Sequence, residues 1–323
     1  AIKKSNLSSL NNIEEVKLAE KLIEINPWSK MVKFSRTGGE ANSIAVRIAR
    51  AATGKNKIAI CGYHGWHDWY LAANLLDKNK LNKHLMNNVK IEGVNKNLKN
   101  SVLPFDYNNY RQLEKLISSN SLAAVIMEVS RNEKPKNNFL KKIRHITQKN
   151  NIVLIFDECT SGFRQNFGGL HKSYKVNPDI AVYGKALGNG YAITAVVGKE
   201  EVMKYANSSF ISSTFWTERI GPTAGLKTLE VMKKTKSWDT ISKKGIFFKK
   251  ELSKLANRHN LDISIKGIDS MPKFEFNYND NLAFTTFITQ EMLKRNILAS
   301  NSIYFCVDHT NSLIKKYLSF LDE

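Results

Sequence analysis

Four stretches of the chain group residue types that can do chemistry together. The first, Ser35-Arg36-Thr37-Gly38-Gly39-Glu40-Ala41, follows the apolar run Met31 to Phe34 and opens a helical pattern. Two glycines at a helix start leave backbone N–H groups bare and let an anion come close, and the helix dipole favours negative charge there. A phosphate fits that position, although strand, Gly-Gly and helix also describe an ordinary tight turn, and the spacing matches neither the Walker loop nor GxGxxG. The second, Gly62-Tyr63-His64-Gly65-Trp66-His67-Asp68-Trp69-Tyr70, follows an apolar run ending at Cys61. Its aromatics can supply a flat face for a ring or close one end of a core. His64, His67 and Asp68 include no i, i+4 histidine pair, so no metal is expected.

In the third stretch, Val153-Leu154-Ile155-Phe156 reads as a buried strand that runs directly into Asp157 and Glu158. A carboxylate there is costly to desolvate unless a cation or a hydrogen-bond donor meets it, so something positive is expected opposite; a helix cap is the plain structural alternative. The fourth, Ala181 to Gly190, sets Lys185 between a strand and a glycine-rich turn. An ammonium loses its hydration on burial unless its pKa falls or it is tied up as a covalent imine. A buried Schiff-base amine satisfies that constraint at Lys185, and taken by itself the segment reads equally as a lysine snorkelling at a sheet edge. Jointly, the four stretches hold an anion-binding helix start, an aromatic plate, a strand-end carboxylate and a strand-end lysine 28 residues later. Those are the parts needed to hold pyridoxal 5'-phosphate by its phosphate, ring face, ring nitrogen and aldehyde.

The elements that must position these residues follow from periodicity. Short β-branched runs at Lys57 to Cys61, Val89 to Gly93, Leu122 to Val129, Ile152 to Asp157, Asp179 to Tyr183 and Ile193 to Gly198 predict strands. Helical patterns at Gly39 to Ala52, Tyr110 to Ser118, Asn138 to Lys149 and Arg219 to Lys234 alternate with them, and the first carries an apolar face of Ala41, Ile44, Ala45, Ile48 and Ala49. The expected fold class is α/β, with a mostly parallel central sheet flanked by helices and ligands bound beyond the carboxyl ends of its strands. From Trp238 the pattern changes to a helix, short strands near Ile263 and Lys273 to Phe276, a helix at Ala283 to Lys294 and a last helix from Asn311. Residues 1–235 are expected as a large cofactor-binding domain and 236–323 as a smaller α+β C-terminal domain.

Composition narrows the class further. With 42% hydrophobic and 24% charged residues the chain is neither disordered nor collagenous, and no apolar stretch approaches the ~20 residues that span a bilayer. Cys61, Cys159 and Cys306 lie far apart without metal-ligand spacing, which fits reduced thiols and a cytoplasmic setting. The net charge of +20 invites a nucleic-acid reading. Lysines scattered over helical faces and Asn-rich loops, such as Asn79 to Asn100, form no single stripe, and no specific nucleic-acid partner is expected.

Ser35 to Ala41, Gly62 to Gly65, Asp157-Glu158 with Thr160-Ser161-Gly162-Phe163-Arg164, Pro178-Asp179 followed by Gly184-Lys185, and Ser213-Thr214-Phe215 resemble, in order, the motifs of class III pyridoxal-phosphate aminotransferases. Within that family the chain is most similar to the glutamate-1-semialdehyde aminomutase-like branch, including Asn296-Ile297-Leu298-Ala299-Ser300-Asn301. The resemblance implies a fold type I architecture, with Lys185 as the amine carrying the cofactor aldehyde and Asp157 as partner of the protonated ring nitrogen. It further implies phosphate-binding amides at Gly38 and Gly39, Tyr63 stacked on the ring, and Ser213 and Thr214 reaching the phosphate of a neighbouring subunit in a homodimer. Glu128 matches a family acid near the site and receives no definite role. The resemblance begins just before the helix Glu14 to Ile25, so the segment that usually precedes it is expected to be lacking. The implied activity is transfer of an amino group between an amino donor and an oxo acid, aldehyde or oxo-sugar; intramolecular aminomutase chemistry and a catalytically silent protein of the same fold stay as alternatives. Val129 where the family usually has Pro, and Phe215-Trp216-Thr217-Glu218 after Thr214, favour the first of these.

Overall fold

Every residue of β4 (Leu122–Glu128) and β5 (Val153–Glu158) is buried, as strands covered on both faces must be. The computed structural model describes residues 2–7, 9–84 and 87–323, and in it these two strands form the middle of a seven-stranded sheet. The others are β1 (Met31–Ser35), β2 (Lys57–Cys61), β3 (Val102–Pro104), β6 (Ile180–Tyr183) and β7 (Thr194–Gly198), in the order β1-β7-β6-β5-β4-β2-β3. Strands β3, β2, β4, β5 and β6 are parallel, and β7 alone is reversed, antiparallel to both β6 and β1. The register places Glu128 opposite Asp157, and Glu158 opposite Tyr183. The carboxyl ends of β4, β5 and β6 therefore finish level, and the loops after them emerge at one edge of the sheet.

Around the sheet lie α1 (Ile13–Ile25), α2 (Gly38–Thr53), the short α3 (Asp68–Leu71), α4 (Tyr110–Ser119), α5 (Phe139–Lys149), the short α6 (Glu200–Met203) and α7 (Ile220–Thr235). The apolar stripe expected on the first long helix is real: Ala41, Ile44, Ala45, Ile48 and Ala49 of α2 are buried in one cluster with Ile60, Ile126, Ile155 and Val182 of the strands. Small residues let α2 pack closely across β4, β5, β6 and β7, which fixes where its amino end points. The chain forms two compact units. One comprises Ala1–Val129, Pro135–Phe163 and Gly168–Val231; the other takes in Ser130–Lys134, Arg164–Phe167 and Met232–Glu323. The second unit contains α8 (Ser237–Arg258), the antiparallel pair β8 (Ile263–Lys266) and β9 (Lys273–Phe276), α9 (Asn281–Lys294) and α10 (Asn311–Asp322). Its core gathers Phe248, Leu252, Phe274, Phe305 and Ile314.

One predicted strand is corrected. Val89 to Gly93 alternates apolar and polar residues as a strand would, but the chain turns there. Gly93 takes a φ of 88°, and the Val94 N–H closes back onto the Ile91 carbonyl at 3.1 Å. The edge place beside β2 belongs to Val102–Pro104, which pairs with Ile58 to Ile60. A strand ending in proline suits an edge, because proline has no N–H to offer a further neighbour.

Candidate active site

Asp157 and Glu158 leave the end of β5 toward opposite faces, as consecutive strand residues do. Glu158 is wholly buried and fully engaged. Its carboxylate accepts from the Leu170 and His171 N–H groups, both at 2.9 Å, from His171 Nδ1 at 2.8 Å and from the Ser161 hydroxyl. Asp157 is held by donors from three separate motifs. Asn42 Nδ2 on α2 donates to its Oδ2 at 2.7 Å, His64 Nδ1 lies 2.9 Å from the same oxygen, and the Cys159 N–H donates to Oδ1 at 3.1 Å. Burial opposes the charge on Asp157, but the His64 hydrogen bond and field, with the Cys159 amide and Asn42, hold its pKa below the ordinary carboxylate value. An ionised carboxylate can only accept, so the proton of this contact sits on His64 Nδ1. The partner expected opposite the acid is thus an imidazole and an amide.

The glycine motif meets the other three at close range. α2 begins with a capping box: the Glu40 N–H donates to Thr37 Oγ1, while Glu40 Oε2 accepts from the Arg36 and Thr37 N–H groups, both at 2.9 Å. That leaves the Gly38 and Gly39 N–H groups with no partner in a preceding turn. A Cβ on Gly65 would stand 2.9 Å from Gly39 Cα, and one on Gly39 would stand 3.1 Å from His67 Nε2. Cys159 Sγ lies between Gly38 and Gly184, 3.3 Å from a Cβ built on either. Burial, foremost, keeps that thiol well above its ordinary pKa, so it serves as packing.

Lys185 leads a short 3-10 turn, Lys185–Leu187, directly after β6 and Gly184. Its φ of 43° lies in the left-handed region that few non-glycine residues adopt. Its Nζ donates to Thr160 Oγ1 at 2.6 Å, which ties the lysine to the loop after Asp157. Lys185, expected to be buried, is instead exposed as a residue, because β6 stops at Tyr183 and Lys185 stands beyond the sheet, while its Nζ reaches back to the buried Thr160. Tyr63 is half-buried, with its ring edge-on to Tyr70 at 5.8 Å between centroids. Its N–H donates to Glu128 Oε2 at 3.1 Å. Ser213 and Thr214 are exposed at the start of the turn Thr214–Thr217. Arg36 anchors that turn to the approach of α2, donating from Nε and Nη2 to the Phe215 carbonyl at 3.0 and 2.6 Å and pairing with Glu218 at 3.1 Å.

The structure thus gathers Gly38, Gly39, His64, Asp157 and Lys185 at one edge of the sheet, with Tyr63 on the neighbouring loop. Asn42, which contacts Asp157, is missed by the sequence reading, and Thr160, which contacts Lys185, is named there within a motif but given no role. For Asn42 a signal exists: it is an amide one position from the apolar stripe of α2, where it is buried. The residues present fit pyridoxal phosphate: bare helix-start amides with only a tight fit for a side chain at Gly39, a buried ionised acid, and an amine just beyond a strand end.

Comparison with known proteins places nearly the whole chain in one family. The pattern of the class-III aminotransferases matches residues 2–307. A 3-aminobutyryl-CoA aminotransferase from Cloacimonas acidaminovorans is 32% identical over 308 residues, covering 91% of this chain and 70% of the relative. A glutamate-1-semialdehyde 2,1-aminomutase from Methanothrix thermoacetophila is 33% identical over 282 residues, covering 83% of this chain and 64% of that protein. Among solved structures, the PLP internal aldimine form of a Sphingopyxis FumI protein superposes with a TM-score of 0.89 at 21% identity, over 99% of this chain and 76% of that one. An omega-transaminase from Sphaerobacter thermophilus gives 0.86 at 23% identity, over 99% and 80%. At such identities the structural likeness speaks for the fold.

Proposed function

Because this chain belongs to the class-III aminotransferase family, we propose that it is a pyridoxal-phosphate-dependent aminotransferase moving an amino group between an amino donor and an oxo acid, aldehyde or oxo-sugar. The observation that carries this reading is the meeting of Lys185, the ionised Asp157 and the Gly38-Gly39 helix start around Cys159 and Thr160. Pyridoxal phosphate, when bound, supplies an aldehyde that takes up the amine and a ring that draws off the negative charge left at the substrate carbon. Lys185 Nζ would hold the aldehyde and, as a free amine, would move the proton at the substrate Cα. Asp157, kept ionised and oriented by His64 and Asn42, holds the proton on the ring nitrogen. The Gly38 and Gly39 amides hold the phosphate, and Tyr63 covers one ring face.

Ser213 and Thr214 complete the phosphate site of a second copy in this reading, which makes the working unit a homodimer. Exposed Trp66, Phe210 and Phe215 support it. A cavity of about 590 Å³ beside α2, lined by Trp66, Trp69, Phe210 and Trp216 among others, lies open in the single protomer. Trp66 and Phe210, exposed and lining one cavity, are the kind of apolar surface that a partner covers.

Intramolecular transfer, the reaction named for the Methanothrix relative, is the second reading. A single-substrate assay that finds the amino group moved to another carbon of the same molecule would favour it. The primary test is chemical: protein loaded with the cofactor and reduced with borohydride is digested and weighed. The expected result is one pyridoxyl adduct on the peptide containing Lys185, and an adduct on another lysine, or none, overturns the reading.

A further inference from the structure

β2 ends at Cys61, whose last partner across the sheet is Met127, so the groups just beyond it no longer have the ladder to bond to. Three side chains take over, one backbone group each. The Gly62 N–H donates to His84 Nδ1 at 2.8 Å, the Tyr70 hydroxyl donates to the Gly62 carbonyl at 2.9 Å, and the Tyr63 N–H donates to Glu128 Oε2 at 3.1 Å. Gly62 takes a φ of 113°, and a Cβ there would lie 2.7 Å from the Glu128 carboxylate, so no side chain fits at this turn and the backbone itself comes close to Glu128. The backbone on either side of Tyr63 is therefore held by side chains and not by ladder hydrogen bonds.

We propose that His84 is a positioning residue, which sets Tyr63 by holding the Gly62 amide; this rests on the reading that Tyr63 covers the face of the cofactor ring. His84 is buried in the Asn-rich loop after α3, 22 residues from the amide it holds. To accept from an N–H, Nδ1 must carry a lone pair, so the imidazole is neutral with its proton on Nε2. The surroundings enforce that state. Burial, and next the field of His64, push the His84 pKa down to about 4, with Lys83 acting the same way and Asp106 and a hydrogen bond to the Lys80 backbone opposing. A support that acts through a backbone amide leaves no trace in the side chain it positions, and its acceptor must sit at one place on the ring.

That last requirement supplies the test, because the two side-chain amides put their oxygen at different places. In His84→Asn the oxygen stands where Nδ1 stands; in His84→Gln it stands nearer Nε2. Both variants are polar and similar in size. For the holoenzymes, visible circular dichroism of the bound cofactor, its dissociation constant and hydrogen exchange of the peptide containing Gly62 and Tyr63 are compared. His84→Gln is expected to bind the cofactor about tenfold more weakly, as for a lost buried hydrogen bond, with a weakened dichroic band and faster exchange. His84→Asn is expected to stay within about twofold of the parent. Equal values for the two variants, whatever their size, overturn the proposal. Tyr63→Ala separates this from failure of the underlying reading. If it leaves the dichroic band and the affinity unchanged, Tyr63 does not cover the ring. If it reduces both while Asn and Gln at position 84 behave alike, the ring-covering role stands and the role of His84 falls.

Discussion

Asp157 and Glu158 are consecutive, both buried and both acidic, yet the sheet end assigns them to regions of opposite kinds. On the Glu158 side, the carboxylate binds the amides of Leu170 and His171, the His171 ring and the Ser161 hydroxyl, all from the loop that follows β5. It rivets its own loop. On the Asp157 side, Asn42 and His64 come from other motifs, and among the described residues the backbone contact is the Cys159 amide. A carboxylate saturated by one loop stabilises that loop, whereas one held at an angle by distant side chains brings distant parts of the chain together and keeps acceptor capacity for a ligand.

The largest expected effect tests the site side as a whole. Lys185→Ala should lower the rate of amino transfer by about a thousandfold or more, since a proton-transfer group and the covalent anchor go together. Thermal melting of the variant should stay near that of the parent, because the residue is exposed. Substantial turnover in steady-state assays would remove Lys185 from the chemistry.

An exchange of outcomes between the two acids is the sharper measurement. Asp157→Asn should cost about a hundredfold or more in turnover number; if its oxygen keeps Asn42 and His64, its new amide nitrogen faces one N–H donor, that of Cys159, so its cost in urea stability should be about 1–2 kcal/mol, less than at Glu158. Glu158→Gln should do the reverse. Its amide nitrogen would face N–H donors from Leu170 or His171, leaving buried donors unpaired at a cost of about 2–4 kcal/mol in urea unfolding, while the turnover of folded enzyme changes little. If both variants lose stability and rate in parallel, the distinction between the two regions is wrong.

The smallest effect concerns the support of Tyr63 on the site side. His84 is held near pKa 4 in the fold, mainly by burial, against about 6.5 in an unfolded chain. As pH falls from about 6.5 to 4, the unfolded chain takes up a proton that the folded one refuses, so stability falls over that window and levels off below it. The group's share is at most about 3 kcal/mol. Urea unfolding of the parent and of His84→Gln across this range should diverge, with the parent losing more stability toward acid. Parallel curves would show that His84 titrates normally in the fold.

Much of the frame was legible because it depends on local pattern. The continuous apolar runs of β4 and β5 announced strands buried on both faces, and the Ala and Ile stripe of α2 announced a helix lying against them. The α/β architecture and the family resemblance rested on these and on the order of the motifs. Val89 to Gly93 misled because alternation alone cannot tell a strand from a half-buried loop when glycine turns the chain. The support groups were harder to see. Asn42 is a single amide at the margin of an apolar stripe, and His84 is one ring in a loop of asparagines and lysines. Each matters through a partner 115 and 22 residues away, and no local pattern encodes such pairs.

By itself, the order of residues determined which chemical groups end the strands, because strand, glycine and helix signals act over a few neighbours at a time. Local pattern could not decide which of two adjacent acids meets Asn42 and His64, a choice that only the resemblance made, nor whether the lysine would stand inside or beyond the sheet, nor what would hold the chain around the tyrosine. Those outcomes depend on register and close packing between distant segments. A one-residue shift in β5 would exchange Asp157 and Glu158 between faces, since neighbouring side chains on a strand point opposite ways.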